Sequence, residues 1–122
     1  RWGRIGDSPV IGAGTYADNN SCAVSCTGHG EYFIRHAVAF DVCARYKYLK
    51  ESVEKAADYI IHTELNTNAG NGGLIAVDKL GNIAMPYNSG GMFRGFLYKE
   101  KGSPEIKKGC GIGKKIVVVG EK

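Results

Sequence analysis

One stretch decides how this chain folds: Cys22-Ala23-Val24-Ser25-Cys26-Thr27-Gly28-His29-Gly30-Glu31. It begins with a short apolar run, which is typical of a strand, and breaks at its glycines before a strongly helical segment. A strand that ends in a glycine turn at a helix N-terminus presents backbone N–H groups and a favourable dipole to an anion or oxyanion. Alone, the stretch favours a simpler interpretation, an ordinary turn in which Thr27 caps the helix. A second glycine-rich segment nearer the N-terminus shifts that balance.

Length and composition limit the classes of protein that the sequence can encode. With 122 residues, 43% of them hydrophobic, the chain is one domain or part of one and can bury a core. No apolar run approaches the roughly 20 residues of a membrane-spanning helix, and no signal-peptide pattern is present. We therefore expect a cytoplasmic protein without a membrane partner. Because the chain starts at Arg1, without an initiator Met, we also expect a processed or truncated product.

The net charge of +4 lies in the C-terminal tail. Residues 1–98 hold 9 basic and 9 acidic residues, whereas residues 99–122 hold 7 Lys and 3 Glu. Basic tails bind nucleic acid in some proteins, but no aromatic residues alternate with these lysines, as a stacking surface requires. We therefore expect a solvated tail and no nucleic-acid partner. The predicted domains are a core over 1–98 and a basic tail over 99–122 with a candidate last strand.

The cysteines and histidines do not have the spacing of a metal site. Cys22 and Cys26 stand four residues apart, which is not a zinc-knuckle spacing, and no two histidines stand at i and i+4. Without a secretory context we expect all four cysteines to be free thiols in a reducing compartment. The sequence therefore predicts no metal site in this chain.

The hydrophobic pattern predicts one antiparallel sheet with helices on one face. Residues 10–17 and 22–26 predict a hairpin around the polar turn 18–21. Apolar residues at helical spacing predict a helix over 31–48 and a second over 53–65, which Ser52 caps. Because few residues join these helices, we expect them to lie as an antiparallel pair over the sheet.

The second half of the chain predicts further strands. Residues 73–78 and 82–87 predict a second hairpin in which Gly81 supplies a positive φ, and strands follow over 92–98 and 115–119. The glycine-rich segment 109–114 is not a phosphate loop, because its glycine spacing does not fit, no clear strand precedes it and a strand follows it. One sheet with helices on one face leaves the other face uncovered, so we expect that face to pack on another chain.

Four motifs stand in the order that one known family shows. They are GRIGDSP at 3–9, GAGTYA at 12–17, CTGHGE at 26–31 and GLIAVD at 73–78, the last followed by IAMPYN at 83–88. Together they resemble the β-subunit of a plant-type L-asparaginase/isoaspartyl aminopeptidase, a family of N-terminal-nucleophile hydrolases. The resemblance runs from Arg1 to about Gly95 and does not extend into the tail.

The resemblance implies an α/β fold, half of an αββα sandwich, made by autocleavage of a precursor. The implied partners are the α-subunit of that precursor, a second αβ unit that completes a heterotetramer, and a small-molecule substrate. No cofactor is implied for this chain, and a structural sodium or potassium ion would belong to the partner chain. The family's nucleophile is the threonine that starts the β chain, with its own α-amine as base. Because that threonine lies upstream of Gly3, we expect this chain alone to be inactive.

The resemblance also assigns residues to the half of the active site that this chain would supply. Arg4 offers a planar guanidinium for a substrate α-carboxylate, and Asp7 offers a carboxylate for its α-ammonium group. The Thr27 hydroxyl and the Gly28 N–H would form an oxyanion hole. Further residues of the implied pocket are Gly30, which binds substrate, and Gly6 and His29, which line it.

Several alternatives remain open on the residues alone. The spacing of Arg4 and Asp7 is equally typical of a local salt bridge that shapes the turn. The implied function is hydrolysis of the side-chain amide of L-asparagine and of β-aspartyl dipeptides. The alternatives are an inactive fragment or pseudo-enzyme that binds a partner, and a glycosylasparaginase or threonine protease of the same superfamily. Free cysteines argue against a lysosomal glycosylasparaginase. A protease would need a wider cleft than one in which Arg4 and Asp7 bind a small substrate.

Overall fold

The computed structural model describes residues 2–114 and 117–120, which form two compact units. The first unit ends at Ser89 and the second starts at Gly90. Each is built on its own antiparallel sheet, of four strands in the first unit and three in the second. The mixed helix-and-sheet class predicted from the sequence is confirmed. The expectation of a single sheet is wrong, because strand patterns show which segments are extended but not which segments pair.

The sheet of the first unit consists of two hairpins that pair with each other in the order β1-β2-β3-β4. Its strands are β1 (Thr15–Ala17), β2 (Cys22–Gly28), β3 (Gly72–Asp78) and β4 (Ile83–Ala84). Both predicted hairpins are confirmed, and Gly81 in the second turn has a φ of +87°. The central pair runs from Cys22 opposite Asp78 to Gly28 opposite Gly72.

Two helices, α1 (Gly30–Arg35) and α2 (Val38–Tyr48), replace the single helix predicted over 31–48. The chain breaks at Ala37, which has a left-handed φ of 45°. Beyond the break the Ala39 N–H donates to Ala13 O at 3.0 Å. The prediction of one helix is wrong, because this bond ties the first turn of α2 to the loop before β1.

The second predicted helix is confirmed from residue 53 onward, but it changes its winding. It runs as α3 (Val53–Tyr59), a π-helical turn (Ile60–Glu64) and α4 (Leu65–Thr67). The Ser52 hydroxyl accepts a hydrogen bond from the Lys55 N–H at 3.2 Å, as the predicted cap requires.

The apolar core lies between the helices and one face of the four-stranded sheet. Every second residue of β2, from Cys22 through Val24 to Cys26, points into it. The helices contribute buried side chains that include Phe33, Val38, Val42, Val53, Ile60, Ile61 and Leu65. The opposite face carries Ile75 and Val77, which are 48% and 45% exposed. Helices on one face of the sheet are therefore confirmed.

All four cysteines are free thiols, as predicted. Cys22, Cys26 and Cys43 are buried and Cys110 is exposed. Burial raises the pKa of Cys26, and the nearby charge of Asp7 raises it further, so this thiol is protonated and unreactive at neutral pH. Among the described helices, none is long and apolar enough to cross a membrane.

The second unit is a sheet of β5 (Arg94–Lys99), β6 (Ile106–Gly111) and β7 (Val117–Gly120) in that order. β5 and β7 confirm the strands predicted over 92–98 and 115–119, although Lys115 and Ile116 lie outside the described residues. The expectation that no strand leads into the segment 109–114 is wrong. β6 enters it despite its lysines and glycines, because pairing with strands on both sides outweighs low strand propensity. The predicted division into 1–98 and 99–122 stays a prediction.

Removal of the Ser52 hydroxyl should measure what this cap contributes. We expect Ser52→Ala to lower the free energy of unfolding by about 0.5–2 kcal/mol, because the Lys55 N–H loses its partner. Urea unfolding followed by circular dichroism measures the change. Ser52→Asp, which keeps an acceptor at the cap, is the matched control and should stay near the native value. Equal losses in both variants would contradict a capping role.

Candidate functional site

An open cleft of about 350 Å³ lies in the first unit, where the N-terminal segment meets the end of β2. The structure thus brings together two motifs that lie about 20 residues apart in the sequence. The lining contains all the residues singled out above and two more, Ile5 and Ser8, that the sequence did not single out. The full lining is Arg4, Ile5, Gly6, Asp7, Ser8, Thr27, Gly28, His29 and Gly30.

Asp7 is the buried charge of this cleft. The residue is only 4% exposed, and its Oδ2 has no hydrogen-bond partner among the described residues. Burial raises the pKa of this carboxyl group, against the opposing effect of a hydrogen bond from its own backbone N–H. A buried polar oxygen without a partner costs free energy. Asp7 is therefore suited to accept a hydrogen bond from a cationic ligand.

Two glycines make room for Asp7. A Cβ on Gly14 would overlap the Asp7 backbone and lie 2.7 Å from its Oδ2. A Cβ on Gly30 would lie 2.9 Å from the Asp7 backbone nitrogen and 3.0 Å from Oδ1. Gly30 thus lies against Asp7, and its predicted contact with substrate stays a prediction. Gly14 was not assigned to the site, and its one signal in the sequence is a glycine within a strand-like run.

Arg4 does not pair with Asp7 in the described part of the chain. Its Nη2 lies 3.7 Å from Glu31 Oε2 instead, and both side chains are more than half exposed. The alternative of a local Arg4–Asp7 salt bridge is therefore wrong. An exposed pair of this kind contributes about 1 kcal/mol or less, so Arg4 can exchange Glu31 for another carboxylate at little cost.

The backbone at the end of β2 directs one N–H group away from β3. The His29 N–H donates to Asn71 O at 2.8 Å, on the β3 side, whereas the Cys26 N–H donates to Gly14 O at 2.8 Å, on the β1 side. Successive N–H groups of a strand alternate in direction, so the Gly28 N–H points to the same side as that of Cys26. β1 begins opposite Ser25, at Thr15, and leaves this side of Gly28 without a strand partner.

Thr27 lies on the exposed face of the strand, beside Gly28, and does not cap the following helix. The N-cap of α1 is His29, and no side chain caps it. The interpretation of Thr27 as an N-cap is therefore wrong. Because α1 has only six residues, its dipole adds little at this end of the cleft. The His29 ring lies against Tyr32, with 6.2 Å between ring centroids.

The comparisons with known proteins agree with these motifs. The family model with the description Asparaginase matches residues 1–106. The chain belongs to this asparaginase family. It is 51% identical over 96 residues to an isoaspartyl peptidase of Salmonella typhimurium strain LT2, a match that covers 79% of this chain and 31% of that protein.

Eukaryotic members of the family are similar to the same part of the chain. A probable isoaspartyl peptidase/L-asparaginase 2 of Arabidopsis thaliana is 52% identical over 93 residues, or 76% of this chain and 28% of that protein. The isoaspartyl peptidase/L-asparaginase of Homo sapiens is 42% identical over 90 residues, or 74% of this chain and 29% of that protein. The chain thus spans about a third of the length of the curated relatives that it matches.

A side chain at Gly14 should displace Asp7. We expect Gly14→Ala to lower the free energy of unfolding by about 1–3 kcal/mol, because the new methyl group overlaps the Asp7 backbone. Gly90→Ala is the control, since a Cβ there meets no atom within 4 Å. Urea unfolding of both variants measures the difference. A Gly14→Ala protein as stable as the control would contradict the close approach of Asp7.

The buried carboxyl group should also make stability depend on pH. Its folded pKa lies above the ordinary value of about 3.9, so the fold is favoured while Asp7 is protonated and loses stability as the pH rises through that folded pKa. Asp7→Asn removes this loss. We expect its gain in melting temperature over the native chain to be larger at pH 7 than at pH 3.5, as scanning calorimetry would measure.

Loss of one exposed carboxylate provides the control for that experiment. Glu105→Gln makes the same chemical change at an exposed side chain. An Asp7→Asn gain of equal size at both pH values, or one no larger than that of Glu105→Gln, would contradict a cost of burying the Asp7 charge.

Proposed function

We propose that this chain supplies the substrate clamp and the oxyanion hole of an enzyme that hydrolyses L-asparagine and β-aspartyl dipeptides. The main support is the buried, unpartnered Oδ2 of Asp7 in a cleft that also holds Arg4 and the end of β2. Both substrates carry a free α-ammonium and a free α-carboxylate on one carbon, with the bond to be cleaved at the side-chain carbonyl. The names of the relatives include both activities.

The α-ammonium group would bind Asp7. A cation beside Asp7 favours its ionised form and offsets the cost of burying its charge, so binding of the α-ammonium group would be favourable. An ammonium ion brings hydrogen-bond donors, and Oδ2 has an open acceptor position among the described residues. A ligand without this positive charge would leave the carboxylate unpaired and bind poorly.

The α-carboxylate would bind Arg4 in place of Glu31. The guanidinium binds a carboxylate through two parallel hydrogen bonds, whereas the 3.7 Å contact with Glu31 is long and exposed. A hydrogen bond to a charged group contributes about 1.5–3 kcal/mol, more than an exposed ion pair does. The exchange therefore favours substrate binding.

The side-chain carbonyl would then lie at the end of β2. When a nucleophile attacks this carbonyl, its oxygen becomes negative, and the Gly28 N–H and the Thr27 hydroxyl would stabilise it. Loss of one such donor typically lowers the rate about 10²–10³-fold. The tetrahedral intermediate collapses with release of ammonia, or of the amine of a β-aspartyl peptide. Water then hydrolyses the acyl-enzyme to aspartate.

We propose a threonine with a free α-amine as the nucleophile, contributed upstream of Gly3 by autocleavage of a precursor. Thr15 and Thr27 both lie within strands, so their nitrogens are peptide groups. The α-subunit would pack on the sheet face that exposes Ile75 and Val77, and a second αβ unit would complete a cytoplasmic heterotetramer. No cofactor is proposed for this chain, and a structural sodium or potassium ion would bind to the partner chain.

Substitution of Arg4 tests the proposal in the full-length protein that contains this chain. We expect Arg4→Ala to lower kcat/KM for L-asparagine about 10–150-fold or more, because the charged hydrogen bonds to the carboxylate are lost. Ammonia release gives the rate. Arg35→Ala, at an exposed arginine on α1, is the matched control and should keep nearly full activity.

The outcomes separate the proposed function from its alternative. A near-native kcat/KM in Arg4→Ala would exclude Arg4 from substrate binding. If the unsubstituted full-length protein releases no ammonia and no amino acid from β-aspartyl dipeptides, yet forms a stable complex in size-exclusion chromatography, the chain is a binding module instead.

A further inference from the structure

Asn88 lies outside the cleft and binds one residue of β3 at two points. Its side-chain Oδ1 accepts a hydrogen bond from the Gly72 N–H at 2.8 Å. Its own backbone N–H donates to Gly72 O at 2.9 Å. Both polar backbone groups of Gly72 are therefore held by a single residue, which fixes where β3 begins.

The side-chain amide nitrogen of Asn88, Nδ2, also donates hydrogen bonds. Nδ2 lies 2.7 Å from Asn66 Oδ1, 3.0 Å from Gly70 O and 3.3 Å from Ile61 O. These three oxygens belong to α4, to the loop before β3 and to the π-helical turn, respectively. Two N–H bonds thus face three acceptors, and Asn88 connects the end of the helix to the strand.

Ile61, whose O accepts a hydrogen bond from Asn88, belongs to the π-helical turn. The next three carbonyl groups, those of His62, Thr63 and Glu64, accept hydrogen bonds from the side chains four residues later, at 3.0, 2.7 and 2.8 Å. The carbonyl of Ile61 is instead bound by a side chain 27 residues away. π-Helical turns are frequent at functional sites.

Gly72 and its neighbour Asn71 set the position of the oxyanion-hole backbone. Asn71 O accepts the His29 N–H at 2.8 Å, and Gly72 lies directly opposite Gly28. The two glycine backbones approach so closely that a Cβ on Gly28 would lie 2.6 Å from Gly72 Cα. The direction of the Gly28 N–H therefore depends on the same backbone that Asn88 holds.

We propose that Asn88 is a positioning residue for the reaction. It does not touch substrate. It holds Gly72, the residue that follows Asn71, and through this backbone it aims the Gly28 N–H at the place where the carbonyl oxygen becomes negative. This role rests on the proposed function, because it presumes that the Gly28 N–H stabilises an oxyanion.

The expected effect of Asn88→Ala is a lower kcat with little change in KM. An oxyanion hole stabilises the transition state more than the bound substrate, so a misdirected donor lowers kcat. We expect kcat for L-asparagine in the full-length protein to fall about 10–100-fold, with KM within about threefold of the native value. A sample with less folded protein would also show a lower apparent kcat at an unchanged KM. Rates are therefore normalised to the content of folded protein, measured by circular dichroism.

Two asparagines provide controls for the substitution. Asn82→Ala removes the 2.8 Å bond from Asn82 Nδ2 to Asp78 Oδ2 at the other end of β3. Asn68→Ala removes the bond to Glu64 O in the loop before β3 without touching Gly72. Both controls should keep kcat within about twofold. An equal loss in either control, or a kcat within twofold of native in Asn88→Ala, would overturn the proposal.

Hydrogen–deuterium exchange keeps the two proposals distinguishable, because it needs no turnover. In Asn88→Ala the amides of residues 27–30 should exchange about tenfold faster or more, while those of α3 (Val53–Tyr59) stay unchanged. If the native full-length protein has no activity, the proposed function fails. In that case, unchanged exchange at residues 27–30 in Asn88→Ala would still show that Asn88 does not hold the backbone of Gly28. Active native protein with unchanged exchange in Asn88→Ala overturns the positioning role alone.

A second variant covers the case in which Asn88→Ala does not fold. Asn88→Asp keeps an oxygen for the Gly72 N–H and replaces the amino group with an oxygen that faces Gly70 O. We expect this variant to lower kcat in the same direction with KM preserved. A kcat within twofold of native in a folded Asn88→Asp protein would also overturn the proposal.

Discussion

The contact between Gly28 and Gly72 is the constraint on which the cleft depends. Here two backbones meet without side chains between them, and the last rung of the β2–β3 ladder closes. α1 starts two residues after Gly28, and its first residue, Gly30, lies against Asp7. A larger residue at either position would separate the strands where the chain turns from sheet to helix.

The second feature of the cleft is a carboxylate that the fold buries before any ligand arrives. Gly14 and Gly30 lie against Asp7 on two sides and shield it from water. Its Oδ2 has no hydrogen-bond partner among the described residues. Such a group destabilises the free protein and favours the state in which a cation is bound. Arg4 is the opposite case, since it is exposed and weakly paired. The two ends of a zwitterion would therefore be bound in different ways, one by relief of a buried charge and one by exchange at the surface.

Local signals in the sequence predicted most of the helices and strands. The features that the sequence did not predict depend on contacts between residues far apart in the chain. The hairpin turns and the Ser52 cap depend only on residues that are close in the sequence, so the residue types at these positions predict them. The break at Ala37 depends on the bond to Ala13, and the strand β6 depends on its pairing with β5. No local sequence pattern could therefore predict either feature. For the site, motif resemblance singled out every residue of the cleft lining except Ile5 and Ser8. The sequence did not assign Gly14, because a glycine in a strand-like run can serve several purposes, or Asn88, because its partners lie up to 27 residues away.

The edges of the four-stranded sheet limit the ways in which it can associate. β1 has only three residues and β4 only two, so each edge offers few free N–H and C=O groups to an incoming strand. Lateral growth by strand addition, the usual route to β-aggregation, finds almost no template there. The proposed packing of the α-subunit on the face of Ile75 and Val77 would therefore depend on burial of apolar surface rather than on backbone pairing.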